Sequence, residues 1–177
     1  MLGWDTETEL IAPGRQAPPI VCLSVSDGTL VKWDQSAELA AALLDSGQLL
    51  GGHNTAFDWA VIAAQEPRLL PKIFQAYEEN QIYDTGVRQK LIDLAHGELR
   101  GWFRGQGKPE RIGYGLGDGP KERPSIGLAR RLFGVKLDKE TYRLRYGELM
   151  HVPLDQWPPG AAKYAIDDAQ ILVPIYD

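Results

Sequence analysis

Two apolar runs rich in β-branched residues, IVCLSV and TLVKWD, flank Asp27-Gly28, and no other stretch limits the fold as tightly. Asp-Gly supplies the positive φ that a tight hairpin needs, so the runs are expected to pair as antiparallel strands. MLGWDTETEL carries no helical stripe, and its first part predicts another strand. The period then changes. SAELAAALLDSG predicts a helix with Ser36 as N-cap and Gly47 just past its end. LLGGHN predicts a short strand and turn, and TAFDWAVIAAQE a helix that stops before Pro67. Residues 71–96 read as mostly helical, with a break near Tyr83. PSIGLARRLFG predicts a helix ending at Gly134, and DKETYRLRYGEL is ambiguous. WPPGAAKYAIDDAQILVPIY predicts a last helix, begun through a proline pair and disturbed or ended at Pro174. Early antiparallel strands followed by helices and a further strand make the expected class α/β: a mixed sheet with strands 1–3 antiparallel and flanking helices.

The 177 residues, 44% hydrophobic and 24% charged, suit one domain over 1–177 with an ordinary core. No run approaches the roughly 20 apolar residues of a membrane helix. The start lacks the basic and apolar regions of a signal peptide. Cys22, the single cysteine, excludes an internal disulfide or a cysteine zinc site and reads as a buried strand residue. These features fit a reducing cytoplasm. The chain ends within an apolar run, ILVPIYD, which reads as one domain cut from something longer.

Charge is unevenly spread. The net charge is −5, yet residues 98–146 hold 12 of the 19 Lys and Arg and 6 of the 24 Asp and Glu. That segment is therefore +6 and the remainder −11. A basic segment beside an acidic body suggests a polyanion held near a cation-binding site; a solvated charged loop fits equally. Residues 101–119 contain 7 of the 19 glycines and predict a long loop, part of a Gly-rich basic stretch over about 101–124.

Carboxylates gather in three places. Asp5 and Glu7, in DTET, share one face of a strand, and like charges so placed call for a cation between them. Hard oxygen donors favour Mg²⁺ or Mn²⁺. An exposed acidic strand end is the plainer alternative. Asn54 and Asp58, in HNTAFDW, are four apart at a helix start; capping and the helix dipole also explain them. Phe57 and Trp59 read as core, though Phe57 adjoins the acid. Tyr164 and Asp168 are four apart on one helical face, whereas Asp167 projects about 100° away.

In combination, D-x-E on a strand, N-x-x-F-D and a C-terminal Y-x-x-x-D resemble the three motifs of the DEDD family, the DnaQ-like, ribonuclease H-like 3′–5′ exonucleases. The tyrosine resembles the DEDDy branch; the place of the alternative histidine is Lys163. DTET, and RLRYGEL followed by VPLDQWPPGAAKYAIDDA, look like the proofreading domains of phage-type family A DNA polymerases.

The resemblance implies two divalent ions, Mg²⁺ or Mn²⁺, held by Asp5, Glu7, Asp58 and Asp168. Asp5 would bridge both, Glu7 and Asp168 would complete the first, and Asp58 would serve the second through water. Tyr164 would orient the attacking water, since a phenol with a pKa about 10 is a poor base. Thr6, Thr8 and Asn54 would meet the terminal nucleotides, with Phe57 beside them and Leu10 or Ile11 as an apolar wedge. Arg104, Lys108, Arg111, Lys121 and Arg123 are candidates to track phosphates, as are Arg130, Arg131, Arg143 and Arg145. Trp102, Phe103 or Tyr114 are candidates to stack on bases. Asp84 reads as structural. His53, His96 and His151 share no metal-ligand spacing, and surface or capping roles are expected.

The implied activity is metal-dependent hydrolysis of DNA from single-stranded or frayed 3′ ends, releasing nucleoside monophosphates. The setting would be the cytoplasm of a bacterial or phage-infected cell, with a polymerase domain or subunit outside this sequence as partner. An RNA 3′-trimming enzyme of the ribonuclease D kind and a catalytically silent nucleic-acid-binding scaffold are the alternatives.

Overall fold

A computed structural model describes residues 1–15, 17–98, 102–103, 110–121, 123–137, 141–142 and 144–177. Its strands are β1 (Leu2–Thr8), β2 (Ile20–Val25), β3 (Leu30–Lys32), β4 (Leu50–Gly52), β5 (Ile82–Asp84), β6 (Trp102–Phe103) and β7 (Glu110–Arg111). Its helices are α1 (Trp33–Asp45), α2 (Thr55–Gln65), α3 (Leu70–Glu78), α4 (Thr85–Ala95), α5 (Leu128–Phe133) and α6 (Pro159–Tyr176).

The main sheet runs β3-β2-β1-β4-β5. The expected hairpin is present: β2 pairs antiparallel with both β1 and β3. On the other side β1–β4 and β4–β5 are parallel, so the α/β sheet is mixed and β1 is central. Side chains alternate along a strand, and β1 uses both faces. Trp4 faces the core formed with Leu23, Leu43, Leu50, Trp59 and Ile62, under α1 and α2. On the opposite face Cys22 and Val21 pack with Ala161, Tyr164 and Ala165 of α6.

Two local features seat α6. A Cβ at Gly3 would lie 2.1 Å from the Ala169 carbonyl oxygen, so only glycine admits this approach of helix to strand. One turn earlier, the Ser24 hydroxyl donates to the Ala165 carbonyl at 2.8 Å. Among the described residues, no helix is long and apolar enough to cross a membrane.

Several boundaries differ from the sequence reading. The strand in TLVKWD ends at Lys32, and α1 begins at Trp33. Ser36 therefore lies inside the first turn, donating back to the Lys32 carbonyl at 2.9 Å instead of capping. The break near Tyr83 is a whole strand, β5, between α3 and α4. It has three residues, too few to reveal a period of two. Pro174 sits within α6, which continues to Tyr176. The described residues of RLRYGEL include a 3₁₀ turn at Tyr146–Leu149.

Candidate functional site

In open α/β sheets, ligands bind beyond the carboxyl ends of the strands, where connections leave in opposite directions. Here that place lies past β1 and β4. Glu7 is at the end of β1, and His53 and Asn54 follow β4 directly. Asp5 and Glu7 project from one face of β1 toward α6, whose buried Asp168 meets them. One carboxylate oxygen from each of Asp5, Glu7 and Asp168 lies within 4.8 Å of the others. Three carboxylates drawn this close repel one another, and a divalent cation converts that repulsion into binding. The donors are all hard oxygens, which fits Mg²⁺ or Mn²⁺ and not a soft-ligand metal.

Asp58 arrives from the other side of β1. Thr6 faces α2, and its hydroxyl donates to Asp58 Oδ1 at 2.5 Å. Burial pushes the Asp58 carboxyl up to about 7, against the lowering effect of its hydrogen bonds with Thr6. Asp58 lies outside the three-carboxylate cluster but lines the same cavity of about 330 Å³.

Tyr164 borders this cavity one helical turn before Asp168. Its ring lies 5.9 Å from that of Tyr146, which in turn is 6.1 Å from Trp157. Tyr146 is fully buried, and its hydroxyl donates to the Ala161 carbonyl at 2.8 Å. Burial, helped by nearby Glu7, pushes the Tyr146 phenol well above its ordinary range, so it stays neutral and serves as packing. Burial likewise pushes the Cys22 thiol up, with Glu7 and Asp5 adding to it. Asp167, beside Asp168 in sequence, is ion-paired with Lys163. A second cavity of about 330 Å³, lined by Lys136, Tyr142 and Lys163, shares Tyr164 and Asp168 with the first.

The other expected contacts divide. Asn54 and Phe57 line the first cavity. Asn54 occupies the N-cap position of α2 with φ 62° but makes no capping bond with its side chain. Asp84 does that work: it accepts from the Thr55 amide at 2.8 Å and from the Val87 amide at 2.9 Å, tying α2 to α4. Its expected structural role agrees with this. Thr8 donates to the Glu9 carbonyl, while Leu10 and Ile11 are 58% and 66% exposed beyond β1. His53, expected at a surface or cap, borders the cavity with Nδ1 3.0 Å from the Thr85 hydroxyl.

Two expected nucleic-acid contacts are corrected. Arg131 is ion-paired to Asp93 at 2.7 Å, with side-chain exposures of 8% and 3%. Tyr114 donates to the same Asp93 at 2.8 Å. Tyr114 thereby ties α4 to the segment before α5 and Arg131 ties it to α5 itself, and a sequence alone does not reveal which arginine finds a buried acid. Arg130 pairs with Asp118 and Arg145 with Glu148. Arg111 and Arg123 are exposed. Arg104, Lys108, Arg143 and the side chains of Trp102 and Phe103 lie outside the described residues.

Sequence reading also missed the segment Gly115–Leu116–Gly117–Asp118, which lines the cavity. Its only signal was the density of glycine. Comparisons with protein-family models, curated proteins and solved structures returned no match.

Proposed function

We propose that this chain is a metal-dependent 3′–5′ exonuclease of ribonuclease H-like fold, hydrolysing DNA from its 3′ end as a proofreading-type domain. The observation that carries this reading is the convergence of Asp5, Glu7 and Asp168 within 4.8 Å, in a cavity that Asp58 and Tyr164 also line. Strand geometry aligns Asp5 with Glu7, helical spacing aligns Tyr164 with Asp168, the packing of α2 on β1 brings Asp58 to the same cavity, and all five match the motif pattern.

Asp5, Glu7 and Asp168 would hold one divalent cation, with Asp58 serving a second beside it. When bound, these ions would offset phosphate charge and make water a stronger nucleophile at neutral pH. Tyr164, its ring set by Tyr146, would orient that water toward phosphorus. Asp58, fixed by Thr6, would face the departing 3′ oxygen. Asn54 would hold the terminal nucleotide and Phe57 would exclude solvent from it. Water adds to phosphorus and gives up a proton to solvent, the bond to the 3′ oxygen breaks and that oxygen takes up a proton, so the products are a nucleoside 5′-monophosphate and a shortened strand with a free 3′ hydroxyl.

The test uses single strands of DNA and RNA labelled at either end, with Mg²⁺, Mn²⁺ or EDTA. DNA should shorten from the 3′ end, with metal only. Asp5→Ala and Asp168→Asn should lose this activity, while Asp167→Asn should retain it. Tyr164→Phe should slow hydrolysis and leave metal affinity intact by calorimetry. Activity in EDTA, or an active Asp168→Asn protein, refutes the mechanism; faster cleavage of RNA would reassign the substrate.

A further inference from the structure

The glycine-rich segment before α5 is tightly built. Leu116 is 6% exposed, held among Leu128, Leu172 and Ile175. Its neighbours Gly115 and Gly117 line the cavity and bring no side chain into it. Behind them, the Gly115 and Leu116 carbonyls accept from the amides of Leu128 at 2.9 Å and Ala129 at 3.1 Å. Asp118 accepts from the Gly127 amide and from Arg130, each at 3.0 Å. A Cβ at Gly127 would lie 2.1 Å from the Gly117 carbonyl oxygen, so the segment and the start of α5 are in direct contact. The Gly113 and Gly119 amides donate to the Ile126 and Ser125 carbonyls, both at 2.9 Å. This web holds a strip of bare backbone against the cleft, and bare backbone lets a flat ligand approach closely.

We propose that Gly115–Leu116–Gly117 is the wall that sets which terminal base the cleft admits. The buried leucine holds the wall in place, and the flanking glycines leave room for a purine. The ligand's identity here rests on the exonuclease reading. A side chain at position 115 would narrow the cleft until only the smaller pyrimidines enter freely. Gly115 is the position to alter, because its φ is not positive and an added Cβ would meet only the Gly117 carbonyl, at 3.3 Å.

The experiment compares wild type, Gly115→Ala and Gly115→Val on single DNA strands that differ only in a 3′ guanine or thymine. KM, kcat and melting temperature are measured for each protein. Binding of the same strands with hydrolysis-resistant phosphorothioate ends is followed by fluorescence anisotropy. Gly115→Val should raise KM for the guanine end by about tenfold and for the thymine end by much less. Gly115→Ala should fall between and decides the matter should the valine protein not fold. Unchanged KM at both ends, or an equal rise at both, overturns the wall. A wild type that binds but cleaves neither strand refutes the exonuclease reading alone. The anisotropy then judges the wall: selective loss of the guanine-ended strand supports it, and equal binding overturns it. A wild type that binds neither strand overturns both.

Discussion

Asp58 is 4% exposed and receives the Thr6 hydroxyl, and its burial raises the carboxyl from 3.8 to about 7. The folded chain therefore holds this proton more tightly than the unfolded chain does. Without metal, stability should fall as pH rises from about 4 through about 7 and level off above, by up to about 4 kcal/mol. Asn can still accept from Thr6 and carries no charge to bury. Asp58→Asn should thus raise the melting temperature of the metal-free protein at pH 8 and change it little at pH 5. Equal shifts at both pH values would show that the gain is unrelated to charge. At this scale the sequence was informative where one element sufficed. Helical spacing alone separates Asp168 from Asp167, which pairs with Lys163. The Thr6–Asp58 bond spans 52 residues and depends on how β1 meets α2, which no local pattern encodes.

The elements that matter most are β1 and α6, because together they bring Asp5 and Glu7 to Asp168. Their spacing is set at Gly3, where a Cβ would meet the Ala169 carbonyl oxygen at 2.1 Å, and that oxygen is backbone that cannot swing aside. Gly3→Ala should push α6 off the strand, lower stability by about 1–3 kcal/mol and separate the carboxylates. Metal affinity measured by calorimetry should fall in a protein that still melts cooperatively. Unchanged affinity would mean that the helix yields elsewhere. The strands β1 and β2, the hairpin turn and α6 were readable from the sequence, since each carries its own period or turn signal. Two things were not. The strand β5 has three residues and hides between helices. The glycine wall has no periodicity at all; it is organised by hydrogen bonds to α5 and by Asp93, which gathers Gln89, Tyr114 and Arg131.

Across the whole molecule, the division into a +6 segment and a −11 remainder is less simple than it looks. Arg130, Arg131 and Arg145 are each paired with an acid of the protein, so not all of the segment's 12 basic residues are available to a polyanion. Under the proposed function, single-stranded DNA should therefore bind with a salt dependence much shallower than the slope of roughly −8 that 12 contacts would give. Anisotropy titrations over a range of KCl concentrations measure it directly. A slope near −8 would mean that the internal pairs open on binding.

The seat of α6 also bears on time. The bond from Ser24 to Ala165 joins residues 141 positions apart, and Asp168 follows just after that contact. Closing so long a loop is slow and comes after local strands and turns have formed. A chain still leaving the ribosome can build its hairpin and bury Trp4, yet it has no third carboxylate to complete the cluster. The carboxylate cluster would thus be completed only as synthesis reaches α6, and the activity proposed for it could not precede that moment.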